Sequence, residues 1–149
     1  MSHRSIAIEY FKQGFNCAQA VVMAFADVTG VDAKQSARLA SSFGGGLGRM
    51  REVCGAVSGM AFVLGALYGY DDPKATGASA THYARVQEVA GAFKTENGSI
   101  ICRELLGEKA PVTATPEPRT PEYYKKRPCA ELVGMAADIL DDYIERNPF

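Results

Sequence analysis

The sequence predicts an all-α protein, a single-domain helical bundle of six or seven helices spanning residues 1–149. Three observations predict it. Strand signals are nearly absent, because no segment alternates Val, Ile or Thr with polar residues over a convincing length. Apolar residues recur at helical spacing through most of the chain. Length and composition fit one ordinary globular domain, with 149 residues, 47% of them hydrophobic and 22% charged.

The elements follow in order. A first helix is expected from about His3 to Gln13, with Ile6, Tyr10 and Phe11 inward and Gly14 as its stop. A second starts at Asn16, a good N-cap, and runs to Gly30 on the stripe Cys17, Ala20, Val21, Ala24, Phe25, Val28. Asp32 caps a third, which reaches Ser42 with Ala37, Leu39 and Ala40 as its apolar residues. The run Gly44-Gly45-Gly46-Leu47-Gly48 is a loop. A fourth helix covers about Glu52 to Gly69. Its glycines stand four apart (Gly55 and Gly59, Gly65 and Gly69), a spacing that lets a second helix or a cofactor approach closely. A fifth is expected from Pro73 to Asn97, interrupted in its first turns by Gly77, with Tyr83, Val86, Val89 and Phe93 inward. A short sixth runs from Ser99 to Leu106. Pro111, Pro116, Pro118, Pro121 and Pro128 break the segment 107–128 into a crossing loop, with one helical turn at Glu122 to Lys125. The last helix, Pro128 to Glu145, has the cleanest stripe: Cys129, Leu132, Val133, Ala136, Leu140, Tyr143, Ile144.

Composition excludes several function classes. The formal net charge is −1 and no Lys/Arg cluster appears, which argues against nucleic-acid binding. The longest mainly apolar stretch, Cys54 to Tyr70, is short for a bilayer span, so no membrane insertion is expected. The N-terminal segment lacks the apolar core of a signal peptide, and a cytoplasmic location is expected. No P-loop, haem-attachment CxxCH or Ser-His-Asp pattern is present. Homo-oligomerisation is left open.

Cys17, Cys54, Cys102 and Cys129 are the candidate catalytic residues and, equally, the candidate metal ligands. Each falls in the first turn or two of an expected helix and opens its apolar stripe. An intervening helix or the proline-rich loop separates each from the next, so out-and-back topology would bring all four to one end of the bundle. Helix starts carry partial positive charge and favour thiolate, the form that attacks and that binds metal. Arg49 and Arg51 near Cys54 are expected to add to this, which makes Cys54 the expected attacking thiol and Cys17 its first-choice partner. Cys129, at the head of a strongly apolar stripe, is expected to be more buried. Converging thiolates repel, so either an iron–sulfur centre or two thiol/disulfide couples should neutralise them. Gly44, Gly45, Gly46, Gly55 and Gly59 are the candidate cofactor-binding positions. Free cysteine also packs as a small hydrophobe, so pattern alone leaves a purely structural role open.

The residues also resemble a known family. Cys54-Gly55-Ala56-Val57-Ser58-Gly59 matches the CGAxxG motif of the C_GCAxxG_C_C family of redox-active proteins. The other three cysteines match in order, and FGGGLGRMREVCGAVSG, Phe43 to Gly59, has the family's look. The resemblance spans about Cys17 to Leu140. It implies redox activity through four cysteines, either iron–sulfur-based electron transfer or thiol/disulfide exchange with a redox partner not identified. Whether this amounts to an enzyme is left open. The family includes a module joined to haem-binding segments in certain cytochromes, and that haem part does not carry over to this chain. The alternative is a non-catalytic binding or sensor module with structural cysteines, associated with a membrane transporter, as the gene context of family members suggests.

Overall fold

Residues 1–107 and 110–149 are described in a computed structural model of the chain. Local chemistry starts most helices where the sequence says it should. Helix α1 (His3–Lys12) begins with the Ser2 side chain accepting from the Ser5 amide. Helix α2 (Cys17–Ala24) begins with a reciprocal capping box between Asn16 and Gln19, which satisfies two otherwise orphaned donors. Asp32 caps α4 (Ala33–Ala40) through the Gln35 amide, and a 3-10 turn follows at Ser41–Phe43. Beyond these lie α5 (Gly55–Tyr68), α6 (Ala78–Asn97), α7 (Cys102–Leu106), α8 (Pro121–Lys126) and α9 (Cys129–Arg146).

The described residues form nine helices, not the six or seven expected. Two changes make the difference. The expected second helix breaks at Phe25 into α2 and a four-residue α3 (Ala26–Thr29). There the Phe25 ring lies fully buried, stacked on His3 with centroids 4.1 Å apart. His3 in turn bonds Asp27 of α3 (2.9 Å) and Asp141 of α9 (2.7 Å), so a tertiary stitch sets the break. The single turn expected near Glu122 is a helix of its own, capped by Thr120 with Pro121 in its first turn. Three starts also move. Gly77, at φ 78°, delays α6 to Ala78, Cys54 is the N-cap of α5, not a residue inside it, and α7 begins at Cys102, not Ser99.

Among the described residues the only strand-like feature is an antiparallel bridge between Val53 and Ile101. Helix α2 is central, packed against α1, α4, α5 and α9, and α1 lies along α9. Phe11, Phe25 and Phe93, with Met60, Leu64 and Leu140, fill the core, each contributing about 1.5–3 kcal/mol by leaving water. The stripe of α4 differs from expectation. Ser36 and Ala40 face inward, Ser36 donating to the Val31 carbonyl, while Leu39 is exposed. Tyr83 on α6 is also exposed. No helix among the described residues is long and apolar enough to cross a membrane.

The CGAxxG spacing has a packing cause. A Cβ on Gly59 would come within 2.9 Å of the Val21 Cβ, and one on Gly55 within 3.1 Å of the Ala18 amide nitrogen. These two glycines let α5 lie directly on α2. Gly65 faces open space, and Gly69 meets only its own preceding turn. The expected close approach therefore holds for the first glycine pair and not the second.

Candidate functional site

The four cysteines reach one place by four separate helix starts. Cys17, Cys102 and Cys129 are the first residues of α2, α7 and α9, and Cys54 caps α5. All four line a single cavity of about 440 Å³. Each is a free thiol; Cys17 is partly exposed and the other three are buried.

Backbone bonds fix one pair. The Cys54 amide donates to the Ile100 carbonyl (2.7 Å), and the Cys102 amide donates to the Glu52 carbonyl (2.6 Å). These bonds frame the Val53–Ile101 bridge. Side chains alternate across extended backbone, so Cys54 and Cys102 share the face opposite Val53 and Ile101. Val53 is accordingly exposed while both cysteines are buried.

Cys17 and Cys129 form the other pair, and each is the first influence on the other's ionisation. The neighbouring Cys17 holds Cys129 below the ordinary thiol value despite its burial, and Arg127, Arg119 and Arg51 add their positive charge. The neighbouring Cys129, with burial, raises Cys17 well above the ordinary value. Burial pushes Cys54 up to about 12, with the amides of Ala56 and Val57 pulling only partly back. Burial also raises Cys102, against the pull of Arg51. Of the four thiols Cys129 alone is lowered, whereas Cys54, the expected attacking thiol, is raised. The arginines expected to serve Cys54 turn elsewhere. Arg51 points Nη1 at the Cys102 sulfur (3.8 Å) and Nε at the Pro111 carbonyl (3.2 Å), while Arg49 binds the Thr113 hydroxyl (2.6 Å) and pairs with Glu117 (3.5 Å).

The glycine loop shapes the wall between these groups. Gly45, Gly46 and Gly48 are left-handed, and so are Leu47, Arg49 and Arg51, at φ 66°, 62° and 63°. Such a backbone costs a non-glycine residue on the order of 1–3 kcal/mol and persists only where its surroundings hold it. Here the Arg51 and Glu52 amides bond back to the carbonyls of Gly45 (3.1 Å) and Gly46 (2.8 Å). Gly46 must lack a side chain, since a Cβ would lie 2.7 Å from the Cys102 Cβ.

Of the glycines expected at a cofactor, Gly44, Gly45, Gly46 and Gly55 line the cavity. Gly59 lies in the contact between α5 and α2 instead. The far wall comes from residues that the sequence did not single out. Arg119 donates to the Phe11 and Phe15 carbonyls (3.0 and 3.1 Å) and lies over the Phe11 and Tyr123 rings. Arg127 pairs with Glu117 and also lies over Tyr123. Arg127 stands two residues before Cys129, the one signal that pointed to it.

An iron–sulfur centre needs ligands grouped about one cluster. Among the described residues no three Cys, His, Asp or Glu side chains are grouped so as to hold a metal ion. As placed, the four thiols share one cavity without forming one ligand set. A family model with the description "Putative redox-active protein (C_GCAxxG_C_C)" matches residues 15–143. No curated protein and no solved structure matches the chain.

Proposed function

The chain belongs to the C_GCAxxG_C_C family of redox-active proteins, and from that membership we propose that it carries out thiol/disulfide exchange, with Cys129 as the attacking thiolate and Cys17 as the resolving thiol. The observation that carries this reading is that Cys17 and Cys129 line one cavity as neighbours that shift each other's ionisation, Cys129 downward. A lowered sulfur thus has a second sulfur beside it. Cys129 also stands at the uncapped start of an eighteen-residue helix, whose partial positive charge favours thiolate.

The chemistry balances as a two-electron transfer. The Cys129 thiolate attacks one sulfur of a substrate disulfide, forming a mixed disulfide and releasing the other half as thiolate. Cys17 then loses its proton and attacks the Cys129 sulfur. The second substrate half leaves as thiolate, and a Cys17–Cys129 disulfide remains. The substrate disulfide has been reduced to two thiols and the protein's dithiol oxidised. Return to the starting state takes two electrons from a dithiol donor. We place this cycle in the cytoplasm, a reducing compartment that suits four free thiols.

Trapping tests the assignment. Reduced Cys17→Ser protein treated with hydroxyethyl disulfide should hold the adduct on Cys129, while the unsubstituted chain should pass to the Cys17–Cys129 disulfide. An adduct on Cys54, or none before unfolding, would contradict the proposal. A second reading, an iron–sulfur centre on the same four thiols, draws support from the shared cavity alone, and it requires the four helix starts to draw together. Iron and acid-labile sulfide in anaerobically purified protein, retained through gel filtration, would favour it over exchange. No observation favours the non-catalytic reading.

A further inference from the structure

The cavity that holds the thiols is also the place where the chain concentrates positive charge. Arg49, Arg51, Arg119 and Arg127 all line it, and among the described residues Glu117 is the one carboxylate that does. The chain as a whole carries a net charge of −1, so this excess is local and not a reflection of composition. It is held against a cost. Burial and the neighbouring Arg51 and Arg127 charges weaken the hold of Arg49 on its proton, which Glu117 only partly offsets. Like charges gathered at one wall call for an anion. Guanidinium groups match carboxylates best, because their planar fork donates two parallel bonds. A cavity of about 440 Å³ is within the size range of small-molecule sites.

We propose that this cavity binds a small anionic sulfur compound, a disulfide or thiol bearing at least one carboxylate, with the arginine wall holding the carboxylate while the sulfur meets the Cys17–Cys129 pair. The inference rests on the exchange reading above for what happens to the sulfur, and on the arginines alone for what is recognised. A bound disulfide is the oxidant. It accepts two electrons, one sulfur pairing transiently with Cys129, and leaves as two thiols while the protein's pair becomes a disulfide. The wall thereby selects substrate by charge. Arg127 pairs with Glu117 and Arg119 donates to the Phe11 and Phe15 carbonyls, so the wall acts on the ligand through its summed charge.

Unreactive thioethers separate recognition from chemistry. Titrating the reduced full chain calorimetrically with thiodipropionate, a dianion, and with neutral thiodiethanol should show the dianion binding about tenfold tighter or better. Added salt should narrow that preference. Arg127→Gln and, independently, Arg49→Gln should weaken binding of the dianion, while Arg146→Gln near the far end of α9 should not. Equal binding of the two thioethers, or an equal effect of Arg146→Gln, overturns the inference. The reactive counterparts are dithiodipropionate, hydroxyethyl disulfide and cystamine, which should oxidise the protein at rates that fall in that order. Cystamine reacting as fast as dithiodipropionate overturns the charge selection. If thiodipropionate binds selectively and no disulfide reacts, the exchange chemistry fails and the anion site stands.

Discussion

Cys129 is lowered by its neighbour Cys17 and by the charge of Arg127, while Cys54, at the start of α5, answers first to its burial. Both occupy helix starts, so the helix charge alone does not separate them. Burial and partners do. For Cys54, burial wins and holds the proton, with a value of about 12. The sign of its effect on stability follows. Above about pH 8.5, where an unfolded thiol ionises, the unfolded chain loses a proton that the folded chain keeps. The stabilisation is complete below that pH and is lost as pH rises towards 12, at about 1.4 kcal/mol per pH unit. Urea unfolding of Cys54→Ala between pH 7.5 and pH 10, as about the accessible window, should show a flatter loss of stability than the unsubstituted chain. An unchanged slope would mean that Cys54 ionises freely in the folded protein. At this scale the four sulfurs were legible in the sequence, and the surroundings that raise Cys54 and lower Cys129 were not. The partners of Cys129 come from Cys17, 112 positions away in the chain, and from guanidinium groups whose direction no local pattern encodes.

Helix starts were legible because caps are local. Asn16 and Asp32 each accept from an amide three residues on, and that chemistry stands in the sequence. The break at Phe25 was not, because it depends on His3 and Asp141, which meet only in the folded chain. The left-handed run through Leu47, Arg49 and Arg51 was half legible. Its glycines announce a loop, but the three non-glycine residues are held there by bonds that close over four to six positions. The two glycine classes in helices can be told apart by substitution. Gly59→Ala presses a methyl group onto Val21 and should cost about 1–2 kcal/mol, the overpacking penalty less the gain in helix propensity. Gly91→Ala, in open space on α6, should stabilise by up to about 1 kcal/mol. Thermal melts of the two variants should move in opposite directions. A Gly59→Ala protein as stable as the parent would remove the close contact of α5 and α2 from the account.

At the scale of the whole molecule, alternation of cysteine-bearing helices with returning segments was enough to predict that the four thiols meet, and they line one cavity. The electrostatic half of that cavity was hidden in the proline-rich segment, where broken periodicity conceals which side chains face inward. Thr113, Thr115 and Pro111 hold the glycine-loop arginines, and Arg119 reaches back to α1 and the turn after it. Loop and segment meet at Glu117, which pairs with Arg49 of the one and Arg127 of the other, and together they line the cavity that holds the thiols. On the exchange reading, the assembled site sets one of four similar helix starts, that of Cys129, apart as the thiolate.

The central claim is that this thiolate is Cys129, and order of labelling tests it most directly. Reduced, metal-free protein is treated with less than one equivalent of iodoacetamide at neutral pH and digested, and the peptides are mapped by mass. Cys129 should carry most of the label. Its labelling rate should rise with pH through a midpoint below the ordinary thiol value, and Cys17→Ala should move that midpoint upward, with roughly tenfold less thiolate at neutral pH for each unit moved. Label on Cys54 ahead of Cys129, or four thiols that react only after unfolding, would contradict the account.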